Sequence, residues 1–582
     1  MSDTPPISSP SLLSGGTSRR LLSLPVVASA LVALLVALPV IALVAIAAEG
    51  SGDLWPHLIA NVLPTAIWQT LVLLFGVGIT VTLVAVPCAW LVASCEFPGR
   101  RIMDVALLLP LALPGYIVAY SYLDVLHPLG PVQGTLRWML GIARPRDFQL
   151  PDLRSAWGCI FVLSCVLYPY VYLSARASFL IQSASALEVA RSLGARRWRV
   201  AWRVALPMAR PAIVAGVTLA LLEVLGDIGA SEFLGMRTLT VSVYTTWVSR
   251  SNLPGAAQIA LVMLLFVLVL VAAERAARSR ARYGGGPSRP LSRVRLSGPW
   301  GAAALVACII PVLLGFGIPV LHLVTASARR IGYAGIPMSL LHEAGNSALL
   351  ALGGTVLTVV LGLAVALALR LSPSPVTGAL ARLSGIGYAI PGTVLAVGLL
   401  TPLAGIDNWL HALGRDLAGI SVGLLLSGSG AALVIAYAIR FLVICVGGLE
   451  AGYGKISPHL DMAARSLGHG TRSTVRRIHL PLLRTSLATA ALMVFVDGMK
   501  ELPATLLLRP LGVETLATHV YGEAARGSYE DGAVAALMIV LVGLVPVLLL
   551  AKLSRTALAG PSSRRDGASR LPRQATHGGA AP

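Results

Sequence analysis

A chain of 582 residues that is 56% hydrophobic and only 12% charged, with a mean hydropathy of +0.80, falls outside the composition of soluble globular domains. Its formal net charge of +20 does not mark a nucleic-acid binder, because the arginines sit in short loops between apolar runs and not in a patch with groove-reading or aromatic elements. The six cysteines (Cys88, Cys95, Cys159, Cys165, Cys308, Cys445) lie within or beside those runs with no metal-ligand spacing and no loop disulfide framework, and read as small packing residues.

A helix that crosses a bilayer needs about 20 mostly apolar residues, and about twelve such segments are predicted, giving an all-α polytopic membrane protein. Residues 1–20 form a Ser/Pro-rich lead whose Ser18-Arg-Arg-Leu stretch superficially resembles a twin-arginine signal. The apolar run behind it is too long for a signal and is followed by further spans, so 21–48 reads as an uncleaved first helix. Spans are then expected near 68–94, 103–123, 157–180, 211–235 and 257–273, completing a first half over 21–274. The stretch 275–298 is basic, glycine-rich and poor in apolar residues, and reads as a linker. A second half over 299–555 has spans near 301–325, 347–370, 383–404, 428–449, 486–508 and 533–551, before a polar tail over 556–582.

The two halves repeat one another. Glu188-Val-Ala-Arg-Ser-Leu-Gly194 is matched by Asp461-Met-Ala-Ala-Arg-Ser-Leu-Gly468, with the glycines 274 residues apart. Each glycine is followed at the same distance by a Leu-Pro pair, Leu206-Pro207 and Leu480-Pro481. In each elbow a short helix is expected to meet a turn at the glycine and then a basic amphipathic helix that the proline ends. Leu113-Pro114-Gly115 likewise corresponds to Ile390-Pro391-Gly392. A Pro-Gly break inside a span suits either a point lining a pathway or a packing kink.

Charge sets the orientation. With twelve spans, Arg19, Arg20, Arg100, Arg101, both elbows, the linker and the tail all fall on one side, while the loops of the other side are mixed in sign. The positive-inside pattern therefore places both termini and both elbows in the cytoplasm. Six spans per half with both elbows on one side make a parallel repeat, related by an axis along the membrane normal with a path between the halves.

Both elbows resemble the EAA loop of bacterial ABC-importer permeases: Glu-Ala-Ala, three residues, Gly, nine residues, Ile-x-Leu-Pro. The first copy has Val189 and Val204 in place of Ala and Ile; the second has Met462 in the acidic position, with Asp461 one residue earlier, and keeps Ile478. The resemblance covers the chain outside its tails and linker, and is nearest to the fused, two-half permease of ferric-iron importers. Phe97-Pro-Gly-Arg-Arg101, Leu109-Pro-Leu-Ala-Leu-Pro-Gly115, Tyr168-Pro-Tyr-Val-Tyr-Leu173 and Lys500-Glu-Leu-Pro-Ala-Thr-Leu-Leu-Leu-Arg-Pro510 carry it. It implies a type I (MetI-like) permease fold in a bacterial inner membrane, two copies of a cytoplasmic ATPase, and a periplasmic substrate-binding protein. It further implies that Glu188, Ala190, Gly194, Leu206 and Pro207, with Asp461, Ala464, Gly468, Leu480 and Pro481, form the ATPase-coupling elements. Permeases for polyamine, thiamine and organophosphonate are similar. No cofactor, catalytic residue or fixed metal site is expected. Gly452-Tyr-Gly-Lys455-Ile-Ser lacks the first glycine and the Ser/Thr of a phosphate-binding loop, so hydrolysis belongs to a partner subunit.

Four acids fall inside predicted spans at the same 274-residue offset: Glu223 and Asp227, Asp497 and Glu501. Each pair is spaced i, i+4, which puts both carboxylates on one face of a continuous helix. Intramembrane acids usually line an aqueous path or pair with other groups, and hard cations prefer such oxygen donors. The residues alone leave two readings open, a cation path or a static network in which Lys500 neutralises one acid. An ion-gradient-driven transporter would use the acids as a proton relay and would have no need of the paired elbows.

Overall fold

The computed structural model describes residues 24–142, 144–181, 197–279, 293–421 and 423–558. Apart from one short parallel bridge, these residues build helices, because in hydrocarbon a single segment can satisfy its own backbone only as a helix. The first half contributes α1 (Leu24–Ala48), α2 (Leu54–Ser94), α3 (Arg100–Ala112), α4 (Gly115–Val125), α5 (Pro131–Leu140), α6 (Ala156–Ile181), α7 (Ala201–Gly226), α8 (Gly229–Phe233), α9 (Leu239–Val248) and α10 (Leu253–Ser279). The second contributes α11 (Pro299–Ala334), α12 (Met338–Leu371), α13 (Pro375–Ser384), α14 (Gly392–Ala418), α15 (Ala431–Tyr453), α16 (Pro458–Ser466), α17 (Thr471–Met499), α18 (Pro503–Leu508), α19 (Leu516–Arg526) and α20 (Ala533–Leu558).

Ten of these are long and apolar enough to cross a membrane, or eleven if α3 and α4 count as one bent span, and α20 supplies a further apolar stretch over Ala533–Leu549. Each of the twelve expected segments thus falls on a helix or a broken helix. Four are broken where the sequence suggested one continuous span; the one near 383–404 breaks at Pro391, between a 3-10 turn (Gly385–Ala389) and α14. α3 and α4 meet at 92°, α7 stops at Gly226 before the short α8, and α17 stops at Met499 before α18.

The Leu-Pro pairs do not end a helix, contrary to the expectation from proline alone. Leu206-Pro207 lies inside α7 and Leu480-Pro481 inside α17, each directly after a π-helical turn, Ala201–Ala205 and Val475–His479. The same wide turn precedes Leu63-Pro64 in α2 and Ile318-Pro319 in α11. A wide turn shifts the local bonding from i−4 to i−5, which absorbs the bond a proline nitrogen cannot make and lets the helix continue.

In each half a three-helix core recurs: α2, α6 and α7 pack together, as do α12, α15 and α17. The leading helices cross over. α1 packs on α12, α13 and α14 of the second half, while α11 packs on α2, α3, α4 and α6 of the first. Gly398 of α14 lies so close to α1 that a β-carbon there would stand 2.3 Å from the Pro39 carbonyl oxygen. α6 and α15 are innermost, with 72% and 61% of their most apolar stretches buried against about a third for α1, α2, α7 and α10. The bridge pairs β1 (Cys95–Glu96) with β2 (Val294–Arg295), tying the chain just ahead of α11 to the turn after α2.

Candidate functional site

Both Pro-Gly breaks have one geometry. A short 3-10 turn (Leu109–Ala112; Gly385–Ala389) runs into Pro114 or Pro391 with extended backbone, ψ 148° and 144°, and a new helix starts at Gly115 or Gly392. The acids meet these starts. A β-carbon on Gly115 would stand 3.0 Å from Asp227 Oδ2, and one on Gly392 would stand 2.8 Å from Glu501 Oε1 and 2.6 Å from Arg440 Nη1. Only glycine gives the carboxylates this approach.

All four acids line a single cavity of about 140 Å³ at the seam between the halves. A water needs roughly 10–15 Å³ on this measure, so there is room for several waters or a small hydrated ion. The i, i+4 premise holds only in part: Glu223 and Asp497 lie in the last turns of α7 and α17, whereas Asp227 and Glu501 come after those helices have ended. The breaks still turn all four toward one space.

The acids divide into two kinds. Asp227 accepts the Ser231 backbone N–H at 3.0 Å. Glu501, 5% exposed, accepts the N–H groups of Ala504 and Thr505 at 3.0 and 3.1 Å and the Thr505 hydroxyl at 2.8 Å. These two satisfy the first turns of α8 and α18, donors that a helix leaves open. Glu223 and Asp497 are held by side chains instead: the Tyr388 hydroxyl donates to Glu223 at 2.6 Å, and Lys500 pairs with Asp497 at 2.9 Å.

Arg440, in the middle of α15, was not singled out by the sequence. It stands 3.8 Å from Glu501 and lines the same cavity. Its only signal was an arginine inside a span, and the repeat gave none, since Val166 occupies the matching position in the first half. With every group ionised, four carboxylates face two cations, Arg440 and Lys500, a formal excess of two negative charges. Arg440 Nη1 and the Tyr116 hydroxyl, both at this cavity, are buried with no hydrogen-bond partner among the described residues. Among the same residues, no three His, Cys, Asp or Glu side chains converge as a metal cage.

Of the first elbow, Glu188, Ala190 and Gly194 lie outside the described residues, while Leu206 and Pro207 fall in α7. The second elbow is described throughout. Ser457 starts α16, its hydroxyl accepting the His459 N–H at 3.3 Å. Ala464 is buried, and Gly468 ends the element in the left-handed region, φ 78°, where a β-carbon would be strained though nothing crowds it. Leu460, Met462 and Leu467 are exposed, Leu467 at 77%. Asp461 faces the other way: its carboxylate accepts from Arg370 Nε at 2.9 Å and from His479 Nε2 at 2.8 Å. The exposed surface of this elbow thus carries three apolar side chains beside His459 and Arg465, and the acid of the motif is occupied within the chain.

Residues 78–283 match the family described as binding-protein-dependent transport system inner membrane component. The chain is similar to an Fe(3+)-transport system permease protein of Haemophilus influenzae, at 26% identity over 491 residues, covering 83% of this chain and 89% of that protein. It is also similar to the molybdenum transport system permease protein of Escherichia coli, at 30% identity over 230 residues, covering 37% of this chain but 96% of that one. A putative 2-aminoethylphosphonate transport system permease protein of Salmonella choleraesuis matches at 30% identity over 212 residues, covering 36% of this chain and 70% of its own length.

Proposed function

The chain belongs to the family of binding-protein-dependent transport system inner membrane components, and from that membership we propose that it imports ferric iron by ATP-driven alternating access. The observation that carries the substrate is the acid-lined cavity at the seam, with its formal excess of negative charge. Similarity to a ferric permease along most of both chains supports it. Hard, highly charged cations favour carboxylate and other oxygen donors, and a cation reaching Asp497 would take the place that the Lys500 ammonium occupies at rest.

In this reading both elbows face the cytoplasm and each docks one copy of a separate ATPase. A loaded binding protein meets the loops of the opposite, periplasmic side. Closure of the two ATPases on ATP moves the elbows, the halves rock about the seam, and the cavity opens alternately to each side. The exposed Leu460, Met462 and Leu467 support docking of the second elbow into an apolar groove. In energised membrane vesicles, depleting ATP while holding the proton gradient is expected to stop ferric uptake. Uptake that survives would instead mark a gradient-driven transporter.

A second reading, an oxyanion such as molybdate, is favoured by Arg440 and Lys500 in the same cavity and by Arg440 Nη1 having no hydrogen-bond partner among the described residues. It predicts that Arg440→Gln abolishes uptake while Glu223→Gln spares it; the ferric reading predicts loss with Glu223→Gln. A polyamine would share the cation's response, and the ligand that copurifies with the binding protein separates the two.

A further inference from the structure

Three tyrosines line the cavity at the seam: Tyr116, Tyr170 and Tyr388. Two of them are engaged. The Tyr388 hydroxyl donates to Glu223 at 2.6 Å, and Tyr170 is hydrogen-bonded to Tyr388. The neighbouring Tyr437 is taken up by the Thr505 hydroxyl at 2.7 Å. The Tyr116 hydroxyl has no hydrogen-bond partner among the described residues, although the residue is only 4% exposed. Buried hydroxyls normally find a partner, so one that does not calls for a reason.

The fold seats this ring between the two outer acids. Tyr116 directly follows Gly115, where a β-carbon would face Asp227 Oδ2 at 3.0 Å. Its own β-carbon lies 2.5 Å from the place where Gly229 would carry one, and Leu502, the residue after Glu501, stands 3.0 Å from the same point. Only glycine at 229 lets the tyrosine come so close. The charges of both Glu501 and Asp227 reach the phenol. The Pro-Gly repeat puts Thr393 in the second half where the first has Tyr116, and the Thr393 hydroxyl is likewise buried with no hydrogen-bond partner among the described residues. Of the two matched hydroxyls, that of Tyr116 belongs to a residue lining the cavity.

An ion in this space would recruit the surrounding oxygens at unequal cost. Asp227 and Glu501 already cap α8 and α18, and drawing them inward opens those first turns. Glu223 and Asp497 are tied to Tyr388 and Lys500. The Tyr116 oxygen gives up no bond to a described residue when it turns to a ligand. As a phenolate it is a hard oxygen donor, the kind a hard cation prefers. We propose that the Tyr116 oxygen binds the ferric ion directly as the ion passes the seam, and that this contact selects hard trivalent cations; the assignment rests on the ferric reading above. In the step, the phenol O–H bond breaks and an Fe–O bond forms. The proton goes to water in the cavity and no electron is transferred. The reverse step frees the ion toward the cytoplasm.

The test uses the permease with its ATPase in lipid nanodiscs, without binding protein, titrated with ferric nitrilotriacetate. A phenolate on ferric iron absorbs visible light by ligand-to-metal charge transfer, a signature that carboxylates do not give. The band is expected in the wild type, lost in Tyr116→Phe, and kept in Tyr333→Phe, which alters an exposed tyrosine outside the cavity. Phenylalanine keeps the ring packed on Gly229, so the melting temperature should stay near that of the wild type. In proteoliposomes with loaded binding protein, Tyr116→Phe should lower ferric uptake several-fold while stimulated ATP hydrolysis is kept. No band in the wild type, or a band that survives Tyr116→Phe, overturns the ligand assignment. Undiminished ferric uptake in Tyr116→Phe overturns it too, and is the outcome expected if the hydroxyl only holds a cavity water. Loss of uptake in Tyr116→Phe with no band in the wild type overturns it in favour of a hydroxyl that donates to an oxyanion. Should Tyr116→Phe fail to accumulate, Tyr116→His, with nitrogen in place of the phenolate, is held to the same outcomes. A wild-type complex that hydrolyses ATP but moves no iron refutes the ferric reading and this assignment with it, whereas iron uptake without the band refutes the assignment alone.

Discussion

Neutralising Glu223 or Asp497 leaves different groups stranded than neutralising Asp227 or Glu501. Glu223→Gln keeps a carbonyl oxygen for the Tyr388 hydroxyl, so thermal stability in detergent should change by less than about 1 kcal/mol. A unit charge removed at about 4 Å from a bound ion costs roughly 1–4 kcal/mol depending on screening, so ferric uptake should fall at least about fivefold. Glu501→Ala should show the converse emphasis. It strips the first turn of α18 of its acceptor and leaves Arg440 without its nearest carboxylate. Loss of the cap alone costs about 0.5–2 kcal/mol, so the melting temperature should drop visibly. An unchanged melting temperature in Glu501→Ala would contradict the capping role. The four acids were legible in the sequence because they repeat and because charge is rare inside a span. Their division into two kinds was not, since it depends on helices that end at Gly226 and Met499, two residues or fewer before the second acid of each pair. Tyr388 was invisible for another reason: it faces Glu223 from 165 residues away.

Among the elements, the Pro-Gly breaks and the second elbow carry the sharpest consequences. Gly392→Ala would push a methyl to 2.6 Å from Arg440 and 3.0 Å from Pro503. Overpacking of this kind costs typically 1–3 kcal/mol, and uptake should be lost, whereas Gly378→Ala in α13, with nothing within 4 Å, should be silent in uptake and melting assays. At α16, burial disfavours the Asp461 anion, but the bond from His479 and the Arg370 charge outweigh it and hold the carboxyl below the usual carboxylate range. The groups facing it from the helices packed there are Arg370, His479 and Tyr453. A depressed carboxyl contributes stability that is complete above its unfolded value, near 3.9, and is lost as pH falls through the folded one. Amide hydrogen exchange in residues 457–470 should therefore show no Asp461-linked rise between about pH 8 and 5, and should accelerate only in stronger acid. The elbow repeat was plain in the sequence, but the inward turn of its acid was not. The motif spacing fixes where Asp461 stands along the chain, while its partners Arg370 and His479 come from two other helices.

For the whole molecule, hydropathy gave the lengths of the spans and the repeat gave the pairing of the halves, yet neither states which helix neighbours which. The crossing of α1 onto the second half and of α11 onto the first is the feature the sequence could not disclose, and it makes the halves mutually dependent. Gly398→Val, which forces α1 away from α14 at Pro39, should lower the melting temperature of the entire permease as one transition; separate transitions for the two halves would contradict that dependence. In the proposed cycle the halves rock at the seam, and α1 and α11, each packed on both halves, join that movement to both. The central claim is that this movement passes a ferric ion through the carboxylates at the seam. Its most direct test is radiolabelled ferric uptake into proteoliposomes holding the permease, its ATPase and loaded binding protein, comparing wild type with Glu223→Gln/Asp497→Asn. ATP-dependent accumulation in the wild type with at least about a tenfold loss in the double variant is the predicted result; undiminished ferric uptake in the double variant would contradict the account.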